Sequence, residues 1–258
     1  MSADETPTQL PTLVEGAAHM GLALSAGQIE RFARFRDLLL DWNARVNLTA
    51  ITDPREVELR HFLDSLTCLL ALPIGMRTRS VRLLDIGSGA GFPGLALAIA
   101  CPQWRITSLD STGKKIHFQE EVIADLGLEN ADARIGRAEE LGRKPEWRAQ
   151  FDIVTARAVA ALPPLLEMCS PFLRVGGYAV MPKKGELAAE METGARAATL
   201  LGARLLPPVV VNIPPLDDGR VLLVARQQRL TPARFPRAAG APLKRPLGSV
   251  EPGGRRSR

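Results

Sequence analysis

Hydrophobic residues recur at helical spacing in the first third of the chain. In residues 25–46 the apolar positions 29, 32, 35 and 39 repeat every three or four residues, which predicts an amphipathic helix. Ser25 and Gln28 have the spacing of a capping box at its start. A second helix is predicted over residues 53–72, with Asp53 as the N-cap and proline at the first helical position.

Short apolar runs alternate with helix-length segments from residue 81 onward. The runs, which are typical of strands, are VRLLDIG, RITSLD, ARIG, FDIVTARA, YAVMP, LLPPVVV and VLLVAR. The predicted helices are 92–100, 114–126, 162–173 and 185–201. This alternation predicts a Rossmann-like α/β fold with a mostly parallel sheet. The last two runs are joined by NIPPLDDGR, which is too short for a helix and predicts an antiparallel C-terminal hairpin at the sheet edge.

These changes of pattern divide the chain into four parts. We expect a flexible N-terminus over residues 1–24 and a helical cap over residues 25–76. The α/β domain then covers residues 77–227, and a basic, proline-rich C-terminal tail covers residues 228–258.

Four glycines follow the first strand of the predicted sheet. The segment LLDIGSGAGFPG places them at 87, 89, 91 and 94, and a helix is predicted to begin near Phe92. Glycine lets the backbone approach a ligand closely, and a helix start offers free N–H groups. The second strand ends in Asp110, 23 residues after Gly87, where a carboxylate accepts hydrogen bonds from ribose hydroxyls. These features predict a nucleoside-containing ligand over Gly87 and Gly89.

Two cofactors fit this pattern. NAD and S-adenosylmethionine both bind at such loops, and GAGFPG also satisfies the weak GxGxxG pattern. Asp85, two residues before the first glycine, favours S-adenosylmethionine. A carboxylate there neutralises the ammonium group of that ligand, directly or through water, whereas it repels a pyrophosphate. The antiparallel hairpin also suits a methyltransferase sheet, but an NAD(P)-linked oxidoreductase stays open.

Positive charge is concentrated at the C-terminus. The formal net charge is +5, yet residues 226–258 alone hold nine Lys/Arg and one Glu. Basic side chains that bind phosphates release counterions, so this tail is a candidate for contact with nucleic acid. A solvated, disordered tail is the alternative.

The composition argues against several other classes. Cys68, Cys101 and Cys169 are far apart and have no histidine cluster nearby, so we expect reduced, buried thiols and no metal site. No apolar run approaches the roughly 18 residues of a membrane span. The first residues lack the basic and apolar regions of a signal peptide. We therefore expect a cytoplasmic protein without membrane contact.

Several segments together resemble the RsmG (GidB) family. In chain order they are NLTAI, RHFLDS, LLDIGSGAGFPG, LDSTGKK, AEE and TARAVA, followed by the basic ending TPARFPRAAGAPLKRPL. Single motifs occur in many methyltransferases, but this combination is specific and extends from about residue 25 to the tail. The resemblance implies a class I S-adenosylmethionine-dependent methyltransferase. It also implies the target, N7 of guanosine 527 in bacterial 16S rRNA, in the loop around nucleotide 530.

The resemblance further implies cofactor contacts and a partner. The contacts are expected at Gly87, Phe92, Ala138, Glu139 and Arg157. Without the resemblance, the first turn of an ordinary helix explains Ala138 and Glu139, and a surface ion pair explains Arg157. The implied partner is 16S rRNA, the small ribosomal subunit or its assembly intermediate, and we expect a monomer. A ribosome-assembly factor that binds without turnover is the alternative, which the intact glycine loop disfavours.

The residues after the fourth strand favour a target atom that carries no proton. Amine methylation commonly uses an N/D-P-P-Y/F segment there, where this chain has DIVTARAVA. Methylation of a pyrimidine carbon needs a cysteine nucleophile, but Cys169 falls late in a predicted helix. Guanine N7 has a lone pair and no proton at neutral pH. We therefore expect direct in-line transfer without a covalent intermediate and without a general base.

Polar and basic residues outside the glycine loop are candidates for RNA contact. They are Asn47, Thr49, Arg60, His61, Lys183, Lys184, Arg234 and Arg237, with Lys244 and Arg245 further along the tail. For His61, a half-buried histidine that orders the helical cap is an equal alternative. For Lys183 and Lys184, the alternative is a solvated surface position.

Overall fold

Helices fill the N-terminal third of the molecule in the computed structural model, which describes residues 10–157, 160–185 and 187–249. They are α1 (Pro11–His19), α2 (Ala26–Val46), α3 (Pro54–Val57), a π-helical segment (Glu58–Leu63), α4 (Asp64–Thr67) and 3₁₀ turns at Cys68–Ala71 and Ile74–Met76. The side chains of Ser25 and Gln28 each accept a hydrogen bond from the other's N–H, which confirms the predicted capping box. Asp53 caps α3, as predicted.

The N-terminus differs from the flexible segment expected over residues 1–24. Residues 1–9 lie outside the described residues, but α1 is packed, with Leu13 and Ala17 fully buried. Gly16 faces Leu63 so closely that a Cβ there would overlap the leucine side chain. The sequence did not predict α1 because an apolar pattern over only nine residues also arises by chance.

An eight-stranded sheet forms the centre of the molecule. The strands are β1 (Arg82–Ile86), β2 (Arg105–Asp110), β3 (Ala131–Ile135), β4 (Phe151–Ala156), β5 (Leu173–Lys184), β6 (Ala203–Leu205), β7 (Val209–Val210) and β8 (Arg220–Gln227). Their order is β3-β2-β1-β4-β5-β8-β6, with β7 also paired to β8. Strands β1 to β5 run parallel to one another, and β8 runs antiparallel to β5, β6 and β7. The predicted Rossmann-like α/β class is confirmed.

Helices cover both faces of the sheet. They are α5 (Gly94–Ala100), α6 (Gly113–Asp125), α7 (Ala138–Leu141), α8 (Leu162–Cys169), continued by a 3₁₀ turn (Ser170–Phe172), and α9 (Ala188–Leu200). Accordingly, every residue of β4 is buried. The strand order reverses between β1 and β4, and ligands of open α/β sheets bind beyond the carboxyl ends at such a point.

The C-terminal strands form a more complex arrangement than the predicted edge hairpin. β8 lies inside the sheet, between β5 and β6. The predicted strand over residues 205–211 is divided into β6 and β7. Pro207 and Pro208 lie at the division, and proline cannot donate to a sheet ladder.

The C-terminal tail is folded against the α/β domain. Residues 228–249, here named the C-terminal strap, include α10 (Ala241–Lys244). Phe235 is buried, and Arg148 donates hydrogen bonds to the carbonyls of Thr231 and Phe235 at 2.8 and 2.7 Å. The alternative of a disordered tail is therefore wrong for these residues, while residues 250–258 lie outside the described ones.

Within the described ranges, no helix has the length and apolar character needed to cross a membrane, and no group of side chains is arranged to hold a metal ion. Cys68, Cys101 and Cys169 are buried, as predicted.

Candidate active site

The glycine loop leaves β1 at Gly87 and is joined to the end of β2. The N–H groups of Gly87 and Ser88 donate to the carbonyl of Leu109, at 2.8 and 3.1 Å. Gly89 has a φ of +60°, a conformation that favours glycine. A Cβ built on Gly89 would meet only the Gly87 carbonyl oxygen, at 3.9 Å. This face of the loop is therefore open to a ligand.

Main-chain donors hold Asp110 at the end of β2. Its Oδ2 accepts a hydrogen bond from the Gly89 N–H at 3.0 Å, and its Oδ1 accepts one from the Thr112 N–H at 2.9 Å. Lys115 Nζ lies 4.0 Å from Oδ2. Each carboxylate oxygen has acceptor capacity beyond these bonds. The position and orientation of Asp110 therefore fit a ribose diol.

Asp85 lies behind the glycine loop and has no exposed surface. Its Oδ2 accepts a hydrogen bond from the Gly94 N–H at 2.8 Å, and its Oδ1 accepts one from Thr155 Oγ1 at 2.9 Å. A Cβ on Gly94 would lie 3.0 Å from Oδ2, so glycine allows this close approach. Burial raises the pKa of Asp85 to about 7. Asp85 fixes the loop to α5 instead of facing a ligand's ammonium group, and the electrostatic argument against NAD that rests on it is lost.

A cavity of about 360 Å³ lies over the carboxyl ends of β1, β2 and β3. We name it the glycine-loop cavity. Its lining residues are Ile86, Gly87, Leu109, Asp110, Ser111, Thr112, Lys115, Gly136, Arg137, Ala138, Glu139, Arg157 and Leu243. Five of the eight predicted cofactor residues are among them. The volume and the mixed apolar and polar lining fit a nucleoside ligand.

Ala138 and Glu139 begin α7 at the edge of this cavity. The Oε1 atom of Glu139 accepts a hydrogen bond from the Gly240 N–H of the strap at 3.1 Å. Leu243, also in the strap, lines the cavity. No local signal in the sequence pairs positions about 100 residues apart, so sequence reasoning missed this contact.

Phe92 is a packing residue between the helical cap and the glycine loop. The His61 imidazole stacks on its ring, with centroids 4.5 Å apart and 5° between the planes. Phe35 stacks on it as well, at 5.1 Å and 18°. Phe92 is buried and does not line the glycine-loop cavity. The Arg157 guanidinium carbon lies 5.4 Å from the centroid of the Phe92 ring, and the cofactor contact that the resemblance implies at Phe92 stays a prediction.

Arg157 follows β4 and lies where two cavities meet. It lines the glycine-loop cavity and also a second one of about 430 Å³, which we name the basic cavity. Its guanidinium donates to Asp64 Oδ2 at 2.6 Å and to the Arg60 carbonyl at 3.0 Å. The same group contacts His61 Nδ1 at 3.2 Å. Arg157 is thus not a simple surface arginine.

His61 is neutral and its ring orientation is fixed. Burial, together with the charge of Arg157, lowers the pKa of His61 to about 3. Because a guanidinium has only donors, His61 Nδ1 is the acceptor in its contact with Arg157. The ring proton then lies on Nε2, which donates to Thr49 Oγ1 at 2.9 Å. His61 orders the helical cap, which is the alternative that the sequence left open.

The basic cavity lies between the helical cap and the strands β5 and β8. Its lining residues are Arg60, His61, Asp64, Arg157, Pro182, Lys183, Lys184, Arg220, Val221 and Leu222. It has an apolar floor and five cationic side chains. This lining suits a flat base with phosphates at the rim.

Asp64 and Arg220 are site residues that sequence reasoning missed. Asp64 accepts hydrogen bonds from Arg157 through Oδ2 and from Arg220 through Oδ1. Asp218 also pairs with Arg220, at 2.8 Å. The sequence suggested that RHFLDS holds the helical cap against the sheet, with Asp64 capping or pairing locally, but it offered no signal for Arg220.

The predicted RNA-contact residues are distributed unevenly. Four of them border the basic cavity: Arg60, His61, Lys183 and Lys184. Lys183 is tied to Glu190 and the Ala160 carbonyl, and Lys184 to Asp218 at 3.1 Å.

The other predicted RNA-contact residues lie elsewhere. Thr49 is occupied by His61, while Asn47 is exposed at the end of α2. Arg234 is exposed on the strap, but Arg237 is an internal anchor that pairs with the fully buried Glu167. The prediction of RNA contact at Arg237 therefore conflicts with its position.

Comparisons with known proteins point to one family. A family model described as rRNA small subunit methyltransferase G (GidB) matches residues 28–213. The ribosomal RNA small subunit methyltransferase G of Deinococcus radiodurans is 44% identical over 242 residues, which cover 94% of each chain. The protein of the same name from Lachnoclostridium phytofermentans is 43% identical over 236 residues, which cover 92% of this chain and 96% of that one.

Solved structures support the fold alone. A chain of the complex that contains the Haloferax volcanii Trm112 methyltransferase activator superposes with a TM-score of 0.51 at 16% identity. The match covers 74% of this chain and 98% of that chain.

Proposed function

Because the chain belongs to the rRNA small subunit methyltransferase G (GidB) family, we propose that it methylates N7 of guanosine 527 in bacterial 16S rRNA. The methyl donor is S-adenosylmethionine, and the nucleotide lies in the loop around position 530. The relatives are named as small-subunit rRNA methyltransferases, which supports the coarser activity. The nucleotide and the atom follow from the family resemblance of the sequence.

One observation carries the proposal: two cavities of nucleoside size meet at Arg157. In the glycine-loop cavity, the glycine loop is open to a ligand and the Asp110 carboxylate is positioned to accept hydrogen bonds from a ribose. The basic cavity has an apolar floor with cations around it. Methyl transfer needs a donor and an acceptor in line and in contact, so adjacent sites supply most of the catalysis. Arg157 marks the point where donor and base meet.

The residues of the glycine-loop cavity fit the cofactor. Asp110 holds the ribose diol, and the loop around Gly87 and Gly89 lets the amino-acid end approach the backbone. Ala138 and Glu139 border the position of the adenine. When bound, S-adenosylmethionine supplies a sulfonium-activated methyl group. The residues of the chain position it and exclude water.

Transfer to guanine N7 needs no general base, and in the basic cavity the Asp64 carboxylate is engaged by Arg157 and Arg220. His61, the buried histidine of this cavity, is neutral because its pKa is lowered to about 3. Guanine N7 offers its lone pair directly. The methylated base gains a positive charge, and Asp64 offsets the charges of Arg157 and Arg220 beside it. In-line transfer from sulfur to nitrogen is therefore the reaction that this arrangement suits.

A covalent route through cysteine does not fit the cavities. Burial raises the pKa of Cys101 to about 12, and it also raises the pKa values of Cys68 and Cys169. None of the three lines either cavity, so no thiolate nucleophile faces the base.

Exposed cations at the basic cavity and on the C-terminal strap provide the RNA surface. They are Arg60, Lys184, Arg234, Lys244 and Arg245. The substrate is 16S rRNA within the small ribosomal subunit or its assembly intermediate, and the protein acts as a cytoplasmic monomer. Phosphate contacts by these side chains make binding dependent on salt.

Mass-spectrometric mapping tests this function. The purified protein, labelled S-adenosylmethionine and small subunits from a strain lacking the modification are incubated together. A single methyl group on N7 of guanosine 527 is the expected result. A protein that binds the cofactor but methylates no subunit or RNA, or that labels another atom, contradicts the proposal.

A further inference from the structure

The C-terminal strap is fixed on both sides of α10. Before α10, Arg237 forms a two-point contact with the carboxylate of Glu167, which has no exposed surface, at 2.6 Å for the shortest pair. After α10, Arg196 Nε donates to the Gly248 carbonyl at 2.8 Å. These anchors hold the strap against the α/β domain, so the position of α10 is defined.

The anchored strap brings an apolar side chain to the glycine-loop cavity. The Gly240 N–H donates to Glu139 Oε1 at 3.1 Å, immediately before α10. Leu243 then lines the cavity together with Leu109 and Ala138, although 53% of its surface is exposed. Among the described residues of the strap, Leu243 alone contributes to this wall.

The order of the residues along the glycine-loop cavity indicates which part of a nucleoside ligand contacts Leu243. Asp110 lies at the ribose position, and Arg157, which lines both cavities, lies on the side that leads to the basic cavity. The base of a nucleoside therefore extends the other way, toward Ala138, Glu139 and the strap. An adenine ring has two apolar faces, and an exposed leucine is a suitable surface for one of them.

We propose that Leu243 forms the outer wall of the adenine subsite, so that the C-terminal strap is a cofactor-binding element. This inference rests on the proposed binding of S-adenosylmethionine in the glycine-loop cavity. If the protein with a docked strap binds the cofactor more tightly than the protein with an undocked strap, the cofactor stabilises the docked state. The stabilisation equals the difference between the two binding free energies. The strap and the cofactor thus hold each other in place.

The first experiment compares Leu243→Ala with a matched control, Leu230→Ala. Leu230 is a strap leucine that is 64% exposed and lines neither of the two cavities. Calorimetry measures the Kd of S-adenosylmethionine and of methylthioadenosine, which lacks the amino-acid end. Loss of one apolar wall weakens binding of both ligands to Leu243→Ala by the same factor, roughly five- to tenfold, and leaves Leu230→Ala unchanged.

The second experiment follows trypsin cleavage of the full chain within the strap, after the exposed Arg234 and Lys244. S-adenosylmethionine slows this cleavage in the wild-type protein, and protection at equal ligand concentration is weaker in Leu243→Ala.

Three results would overturn the assignment of Leu243 while leaving the proposed function intact. The first is equal affinity of Leu243→Ala and the wild type. The second is weakening for S-adenosylmethionine but not for methylthioadenosine, which would place Leu243 away from the base. The third is cleavage of the strap at the same rate with and without cofactor. Failure of the wild-type protein to bind S-adenosylmethionine would instead overturn the proposed function.

Discussion

The imidazole of His61 lies parallel to the ring of Phe92, with their centroids 4.5 Å apart and 5° between the planes. This stack connects the helical cap to the residue that follows the glycine loop. The His61 nitrogens contact Thr49 on one side and Arg157 on the other. The helical cap therefore positions the arginine at which the two cavities meet.

Replacing His61 with phenylalanine removes a proton-binding group and keeps the stack. The folded pKa of His61 is about 3, below the ordinary value of 6.5. Between these values the unfolded chain binds more protons, so acidification from about pH 6.5 toward pH 3 reduces the stability that His61 contributes. The difference in unfolding free energy, wild type minus His61→Phe, therefore falls with a limiting slope of about 1.4 kcal/mol per pH unit. Urea unfolding between pH 7 and pH 4.5 measures it, and parallel curves would contradict the neutral buried imidazole.

Replacing Asp110 with asparagine weakens the cofactor site. The asparagine amide has a single oxygen, so it accepts only one of the Gly89 and Thr112 hydrogen bonds, and it loses the charge-assisted bonds to the ribose. A bond of that kind contributes about 1.5–3 kcal/mol, so the Kd of S-adenosylhomocysteine rises about 10- to 100-fold. Asp132→Asn on the neighbouring strand, outside both cavities, is the matched control. Equal affinities of the two variants would argue against Asp110 as the ribose acceptor.

Replacing Asp64 with asparagine removes the carboxylate that pairs with both Arg157 and Arg220 in the basic cavity. Asp64 is a positioning residue because it holds Arg157 and Arg220 and offsets their charge. Breaking a largely buried pair costs about 3 kcal/mol of stability. With folded enzyme, kcat on small subunits falls at least tenfold, while the Kd for S-adenosylhomocysteine changes little. Asp218→Asn, at the rim beside Arg220, is the control for charge alone. An Asp64→Asn enzyme with normal kcat would show that the pair is only structural.

Two basic residues of the strap differ in their effect on stability and RNA binding. Arg237→Ala removes the charged partner of the buried Glu167, which keeps only the backbone N–H of residue 237, and lowers the unfolding free energy by about 3 kcal/mol. Lys244→Ala removes an exposed cation, so stability is unchanged while RNA affinity and its salt dependence decrease. Thermal unfolding and RNA titrations at several salt concentrations distinguish them. If Arg237→Ala lost RNA affinity without losing stability, the strap anchor would be disproved.

Local chemistry made part of the fold predictable. The capping box at Ser25, the N-cap at Asp53, the glycine loop and the strand that ends at Asp110 all depend on residues a few positions apart. Such signals survive in a single sequence because backbone geometry and hydrogen bonding act over one or two turns.

Contacts between distant segments were not predictable. Asp64 meets Arg220 across 156 positions, and Glu167 meets Arg237 across 70. Any Asp or Glu in the chain has the charge needed to pair with either arginine, so residue type alone does not identify the partner. The basic tail shows the consequence most clearly, since its charge indicated RNA contact while Arg237 is used for packing.

The most direct measurement is a cryo-EM structure of the protein with S-adenosylhomocysteine on a small ribosomal subunit that lacks the modification. The predicted result places the adenosine along Asp110 and Ala138, and the sulfur beside Arg157. The target guanine then lies in the basic cavity with N7 facing that sulfur. A guanine bound outside the basic cavity, or a cofactor outside the glycine-loop cavity, would contradict methyl transfer at the junction of the two.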